Sequence, residues 1–107
     1  TFWTSSATAA PTTAPVLEVY DVGTDWVEIY WDYVPEAGYF ILERSENGGS
    51  TWITVYEGPD TWFYEDMLAP GVYDYQVTGA NSFGPGPTSS PLTLEVSGTG
   101  GVIIIVE

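Results

Sequence analysis

The segment that decides the fold is Leu68–Gly84, with the sequence LAPGVYDYQVTGANSFG. Within it Tyr73, Tyr75 and Val77 alternate with polar residues, and this two-residue period predicts a half-buried strand over 72–80. Pro70-Gly71 precedes the alternation and Gly84 follows it, which are turn signals. The segment therefore predicts one long strand whose odd-numbered residues face a core.

The rest of residues 15–96 is divided by turn residues into further short stretches rich in Val, Ile, Thr, Tyr and Trp, a composition typical of strands. The predicted strands are Val16–Tyr20, Asp25–Tyr33, Tyr39–Ser45, Thr51–Glu57, Thr61–Asp66, Val72–Ala80 and Leu92–Val96. Gly84-Pro85-Gly86-Pro87 is predicted to be a turn. Short strands at this spacing predict an all-β, seven-stranded β-sandwich.

The order of these motifs resembles that of a fibronectin type III domain over about residues 15–96. Tyr73-x-Tyr75-x-Val77-x-Gly79-x-Asn81-x-x-Gly84, after Leu68-x-Pro70-Gly71, is similar to the sixth strand of that family. Val27-x-Ile29-x-Trp31 is similar to its second strand with a buried tryptophan. The motifs similar to its third and fifth strands are Gly38-Tyr39-x-Ile41-x-Glu43-Arg44-Ser45 and Tyr64-x-Asp66.

This resemblance implies that Tyr73 is a corner tyrosine, whose hydroxyl bonds to the backbone a few residues upstream. It also implies a binding, spacer or structural module and not a catalyst, although a fold alone does not fix a function. No Arg-Gly-Asp triplet occurs, so integrin binding is not implied. The predicted structural core consists of Trp31, Tyr39, Ile41, Tyr73, Tyr75 and Val77.

Two segments lie outside the predicted sandwich. Residues 1–14 (TFWTSSATAAPTTA) are rich in Thr, Ser, Ala and Pro, as an extended N-terminal arm or linker would be. Phe2 and Trp3 are unusual in a linker and are candidate anchors on a partner surface. Residues 97–107 are predicted to form a Gly-rich spacer followed by an extra apolar C-terminal strand.

That C-terminal strand consists of five consecutive β-branched aliphatic residues. They are Val102, Ile103, Ile104, Ile105 and Val106. Both faces of such a strand are apolar, so it needs cover on both sides. Three interpretations stay open: pairing in trans with a neighbouring copy, pairing in cis with the same domain, or the truncated start of a following domain. We expect the inter-subunit interpretation, because the sandwich is already complete at Val96.

The charge balance excludes several classes of partner. Fifteen Asp and Glu face one basic residue, Arg44, giving a net charge of −14. Nothing would neutralise nucleic-acid phosphates or anionic lipids, so we expect neither as a partner. The apolar tail is also far shorter than the about 20 residues of a membrane-spanning helix. The chain has no Cys and no His, which removes thiol chemistry and the commonest general base.

The acidic residues offer only weak candidates for chemistry. Paired carboxylates suited to acid–base work are Asp32 with Glu36 and Glu65 with Asp66, but close pairs are expected by chance among so many acids. No cofactor is predicted, and turn carboxylates in solvent are preferred to a Ca²⁺ site. The weak Ca²⁺ candidates are Asp21, Asp25, Asp60, Glu65 and Asp66.

Exposed aromatic residues are candidates for stacking on sugars or for contacts with a host protein. If Val27, Ile29 and Trp31 face inward, Trp26 and Tyr30 face outward. Further candidates, some of which must fill the core, are Trp52, Tyr56, Trp62 and Phe63.

The sequence thus predicts a non-catalytic structural subunit at an extracellular, cell-surface or virion-surface location. Its expected partners are other copies of itself, joined into a filament or lattice by exchanged terminal strands. One alternative is a spacer or glycan-binding module of a larger secreted enzyme or adhesin. Another is a phage capsid or tail decoration domain.

Overall fold

A computed structural model of the chain describes residues 8–98. These residues form eight strands in two antiparallel sheets and no helix, so none of them forms a helical membrane span. The strands are β1 (Leu17–Val22), β2 (Val27–Trp31), β3 (Tyr39–Ser45), β4 (Ile53–Gly58), β5 (Trp62–Glu65), β6 (Gly71–Asn81), β7 (Gly84–Thr88) and β8 (Leu92–Val96). One sheet has the order β1-β2-β5. The other has the order β4-β3-β6, with β7 and β8 both pairing with β6. The predicted β-sandwich is confirmed.

The longest strand, β6, organises the larger sheet. It pairs with β3 along one side and with β7 and then β8 along the other. Tyr73, Tyr75 and Val77 are buried, as the alternation around them predicts. Because both sides of β6 are paired, its backbone hydrogen-bonding groups are used inside the sheet.

The stretch predicted as a turn, Gly84-Pro85-Gly86-Pro87, lies instead in strand β7 (Gly84–Thr88). Proline cannot donate to a ladder, but it is tolerated in an edge strand, where its nitrogen can face away from the neighbour. Ser89 then separates β7 from β8, and its own N–H donates to the carbonyl of Val77 over 2.8 Å. In return the Val77 N–H donates to the Ser89 hydroxyl over 3.0 Å. Ser89 therefore bridges the break between two halves of one edge.

The core lies between the sheets and is centred on β2. Val27, Ile29 and Trp31 are almost fully buried, which is the inward face that the sequence predicts. The Trp31 ring meets Phe40 edge-to-face with ring centroids 6.0 Å apart, an arrangement that aromatic pairs favour. Tyr56 covers the same ring from 6.3 Å.

The prediction for β3 needs a correction. Phe40 and Leu42 are the buried residues of this strand, whereas Tyr39 and Ile41 lie on the opposite face and are only partly buried. Residues 39–42 are all apolar, so alternation alone does not tell which pair faces inward. The register with β6 decides the matter, because Leu42 lies opposite the buried Val77.

Tyr73 forms the expected tyrosine corner. Its hydroxyl donates to the carbonyl oxygen of Ala69, four residues upstream, over 2.5 Å. Burial raises the pKa of this phenol. The corner fixes the connection into β6 and supplies a partner for a carbonyl that lies outside the sheets.

A polar cluster joins the two sheets. The Arg44 guanidinium on β3 donates to Glu65 Oε1 on β5 over 2.7 Å, and the Tyr75 hydroxyl on β6 donates to Glu65 Oε2 over 2.5 Å. Burial and then Glu65 raise the pKa of Tyr75, which keeps the phenol a hydrogen-bond donor. Burial would lower the pKa of Arg44, but Glu65 outweighs that effect and raises it.

The described chain enters and leaves the sandwich at opposite ends of β6. At one end the buried Asn81 side chain donates to the carbonyls of Ala9 and Glu36, each over 2.8 Å, which holds residues before β1 against the domain. At the other end the Gly98 N–H donates to the Thr24 carbonyl over 2.8 Å. The eleven residues of β6 set these ends about 35 Å apart.

Replacing Tyr73 with Phe tests the corner. The change leaves the Ala69 carbonyl without its partner and should lower the free energy of unfolding by about 1–3 kcal/mol. Tyr20→Phe removes a hydroxyl from a residue that is 70% exposed. This control should change the free energy of unfolding by less than about 0.5 kcal/mol. Urea unfolding of both variants measures the difference. Equal, small effects would contradict a structural role for the corner.

Replacing Glu65 with Gln tests the polar cluster. Arg44 would keep a charge that is 13% exposed while losing its closest counter-ion, at a cost on the order of 3 kcal/mol. Glu46→Gln removes the other Arg44 partner, which is 62% exposed, and should cost less than about 1 kcal/mol. Urea unfolding measures the loss of stability in both variants, and Glu65→Gln should lose more than Glu46→Gln. The reverse order would refute a structural role for the Glu65 cluster.

Candidate binding surface

The outer face of the three-stranded sheet gathers aromatic side chains. Because Val27, Ile29 and Trp31 point inward, Glu28 and Tyr30 of β2 point outward. The register places Tyr30 opposite Trp62, and Glu28 opposite Tyr64, both on β5. On the other side of β2, the pairing with β1 places Glu18 opposite Tyr30. The alternation of three short strands thus produces a surface that is both aromatic and acidic.

Four residues of this face line a depression of about 400 Å³. They are Tyr20, Glu28, Tyr30 and Trp62, and we call this site the aromatic–acidic depression. Tyr20 reaches it because it lies two positions after Glu18 and so shares the outward face of β1. Tyr20 is 70% exposed and Trp62 50% exposed, so both rings are accessible to a ligand.

Hydrogen bonds and ring contacts hold the lining of the depression in place. The Trp62 indole Nε1–H donates to Glu28 Oε2 over 2.7 Å. The Tyr30 hydroxyl reaches Glu18 Oε1 at 3.5 Å. The Tyr20 and Tyr30 rings meet edge-to-face, with centroids 6.4 Å apart and planes 78° apart. The walls of the site therefore stand at a steep angle to one another.

A second aromatic pair continues the same face. Trp26 and Tyr64 lie with ring centroids 5.8 Å apart and planes tilted by 37°. The pKa of the Tyr64 phenol is raised by desolvation, and then by the nearby carboxylates of Asp66 and Asp25. Asp25 and Asp66, two of the weak Ca²⁺ candidates, therefore both lie near the Tyr64 phenol.

No positive side chain balances the charge of this face. Arg44 is the only Lys or Arg of the chain, and it is paired with Glu65 and Glu46. The carboxylates of Glu18 and Glu28 are thus compensated only by neutral donors. Opposite charge on a ligand is the electrostatic complement of such a surface.

The predicted sugar-stacking residues occupy three different places in the fold. Tyr30 and Trp62 are exposed on the outer face, and Trp26 is half-buried in its pair with Tyr64. Tyr56 and Phe63 pack against the core, with ring centroids 6.1 Å apart. Trp52 is half-buried in the turn before β4, close to Gly49.

The weak Ca²⁺ candidates do not form a metal site. Within residues 8–98, no three acidic side chains converge in a way that would hold an ion. Glu65 is occupied by Arg44 and Tyr75, and one carboxylate oxygen of Asp21 accepts the Val22 N–H. Asp60 lies in the turn between β4 and β5, where its N–H donates to the Tyr56 hydroxyl.

Several predictions fall on residues outside the described part of the chain. The predicted arm anchors Phe2 and Trp3 and the predicted inter-subunit strand 102–106 lie there. Of the predicted arm 1–14, the described residues contact the sandwich: Pro11 is buried and lies close to Gly86.

Sequence reasoning missed Glu18, Tyr20 and Glu28 as members of one site. The alternation of β2 contains a signal for Glu28, since a residue two positions from Tyr30 shares its face. The same rule places Tyr20 on the face of Glu18, two positions earlier, but no local pattern shows that β1 pairs with β2.

Comparison with known proteins bears on the fold. Neither a family model nor a curated protein matches this chain. The sixth fibronectin type III domain of human fibronectin type III domain containing protein 3 has a TM-score of 0.76 at 18% identity, covering 92% of this chain and 97% of that domain. The fourth FNIII domain of a human protein gives 0.74 at 21%, covering 91% of this chain and 89% of that one.

A titin fragment comprising domains A168–A170 gives a TM-score of 0.68 at 22% identity. The match covers 82% of this chain and 33% of that fragment, so this chain spans about a third of the fragment's length. At these sequence identities the similarity shows the fold alone. It agrees with the tyrosine corner and with the two-sheet topology. The chain has a fibronectin type III-like β-sandwich fold.

Proposed function

We propose that this chain is a non-catalytic structural module that joins other copies of itself head to tail. In this proposal the apolar C-terminal strand of one copy adds to the β1 edge of the next, at an extracellular, cell or virion surface. The observation that carries the proposal is the combination of five apolar tail residues with an open apolar edge at β1.

The β1 edge has the properties of an acceptor for a strand. Among the described residues, β1 pairs with β2 alone, so its other side has no strand partner, although β8 of the larger sheet lies near it. Val19 and Val22 lie opposite the buried Ile29 and Val27, and they therefore face the interior of the sandwich. Even so, Val19 is 41% exposed and Val22 39% exposed. An added apolar strand would cover both side chains and satisfy the free edge.

One face of the tail sequence fits such an edge, where it would meet Val19 and Val22, and the other face would be covered by a further copy in the array. In a strand, alternate residues of 102–106 point to opposite faces, and each face carries only Val or Ile. Burying one such side chain gains about 1.5–3 kcal/mol before ordering costs. Residues 97–101, Ser-Gly-Thr-Gly-Gly, stand between β8 and the tail and offer little side-chain bulk to hinder its placement.

The geometry of the two ends supports a linear array. Ala9 is held at one end of β6, and Gly98 is held at the other, beside the β1–β2 turn. A strand passed from one copy to the next is a heterologous contact, which propagates unless its rotation closes a ring. The same separation of ends also favours the second candidate function, a spacer within a larger chain.

The chemistry of the chain supports a role without catalysis. It has no His, Cys or Lys, and its one Arg is used in the polar cluster. A net charge of −14 would keep unassembled copies apart at low ionic strength, and added salt would screen this repulsion. Assembly is therefore expected to strengthen with salt.

Deleting residues 101–107 tests the proposal. The truncated chain should unfold at nearly the same temperature as the full chain but remain a monomer, because the tail acts on a neighbour. Ile104→Asp should have the same effect, since it would bury an unpaired charge. Thr99→Asp, which adds the same charge outside the apolar run, should still assemble. Sedimentation velocity and thermal unfolding measure both properties.

Two outcomes would overturn the proposal. A large loss of melting temperature with an unchanged sedimentation coefficient would show that the tail pairs in cis. A full-length chain that stays monomeric at every salt and protein concentration would favour the spacer.

A further inference from the structure

We propose that the aromatic–acidic depression is a second interaction surface, which binds an arginine side chain presented by a basic segment of a partner protein. The site is lined by Tyr20, Glu28, Tyr30 and Trp62. It lies on the outer face of the three-stranded sheet, and its four lining residues all belong to β1, β2 and β5.

The arrangement of the rings fits a compact planar cation. Tyr20 and Tyr30 stand 78° apart, so they form two walls of a corner and not one flat platform. A guanidinium that stacks on one ring can present its edge toward the other residues of the corner. Guanidinium groups stack on Tyr and Trp faces at centroid distances of about 6 Å or less.

The carboxylate supplies the second half of the recognition. Glu28 Oε2 is already fixed by the Trp62 indole N–H at 2.7 Å, and Oε1 accepts no hydrogen bond from residues 8–98. A pre-positioned carboxylate beside a stacking ring matches the N–H edge of a guanidinium. Glu18, beside Tyr30, adds a second negative charge at the rim.

The charge of the chain indicates that the occupant is a different protein. Arg44 is its only Lys or Arg, and it is 13% exposed and paired with Glu65. A second copy therefore has no free basic side chain to offer. A neutral sugar would gain nothing from the two carboxylates as charges, and it stacks best on an open, flat ring face. An arginine uses both the rings and the charges.

The test is a titration of the ¹⁵N-labelled full-length chain with a defined probe, acetyl-Ala-Arg-Ala-Arg-Ala-amide. The Trp62 indole N–H signal, identified by its loss in Trp62→Phe, should shift with saturation. The same peptide with citrulline for arginine, which is neutral and similar in shape, should leave that signal in place. Lysine for arginine should weaken binding, because an ammonium cannot stack as a plane.

Variants that each remove one negative charge distinguish binding at the depression from nonspecific attraction of a basic peptide to an acidic protein. Glu28→Gln should weaken binding about five- to tenfold, and Trp62→Ala by a similar factor. Glu57→Gln, which removes an exposed charge from β4 of the other sheet, should leave affinity within about twofold. Equal weakening by Glu28→Gln and Glu57→Gln would overturn the proposal, since binding would then reflect net charge alone.

Two further results would also overturn it. A shift of the Trp62 indole signal by cellohexaose or xylohexaose, without one by the arginine peptide, would make the surface a glycan platform. A shift of that signal with protein concentration in the chain lacking residues 101–107, which cannot exchange its tail, would show that a second copy covers the face.

Discussion

The two sheets pack on an apolar core, and one carboxylate, that of Glu65, links them across it by hydrogen bonds. This carboxylate comes from β5 of the smaller sheet and binds Arg44 and Tyr75 of the larger one. Charges this far from solvent are costly unless they are paired and hydrogen-bonded, and here both oxygens have partners. Arg44 also lies over the Tyr73 ring, 5.7 Å from its centroid, which links the cluster to the tyrosine corner. The polar cluster therefore sets the relative position of β3, β5 and β6.

This use of Arg44 determines the character of the surface. The chain has no other Lys or Arg, so no acidic residue outside the cluster has a basic side chain to pair with. Copies of the domain repel one another, and contacts between them have to come from apolar groups such as Val19 and Val22 at the β1 edge. A different partner gains from the same charge if it is basic. The proposed assembly edge and the proposed arginine site would thus be two responses to one imbalance of charge.

Sequence reasoning recovers most of the fold and little of the site. The alternation in β2 and β6 is clear because polar residues mark one face, so Trp31 and Tyr75 are placed correctly. It fails at Tyr39 and Ile41, where both faces are apolar, and at β7, whose prolines resemble a turn. The depression needs the β1–β2–β5 register, which arises from pairing between distant segments. Such pairing is not visible in any local pattern.

Cross-linking between copies tests the central claim, that the tail of one copy lies on the β1 edge of another. The chain contains no Cys, so single cysteines can be introduced cleanly. A ¹⁵N-labelled Val19→Cys chain is mixed with unlabelled Ile103→Cys or Ile104→Cys chains, which cover both tail faces, and is oxidised mildly. A disulfide needs Cα atoms about 4.4–6.8 Å apart, so it reports direct pairing. The account predicts labelled–unlabelled disulfides at position 19. A chain that carries both Val19→Cys and Ile104→Cys serves as the test for pairing in cis. Disulfides that form only within this chain, at a rate independent of protein concentration, would contradict the account.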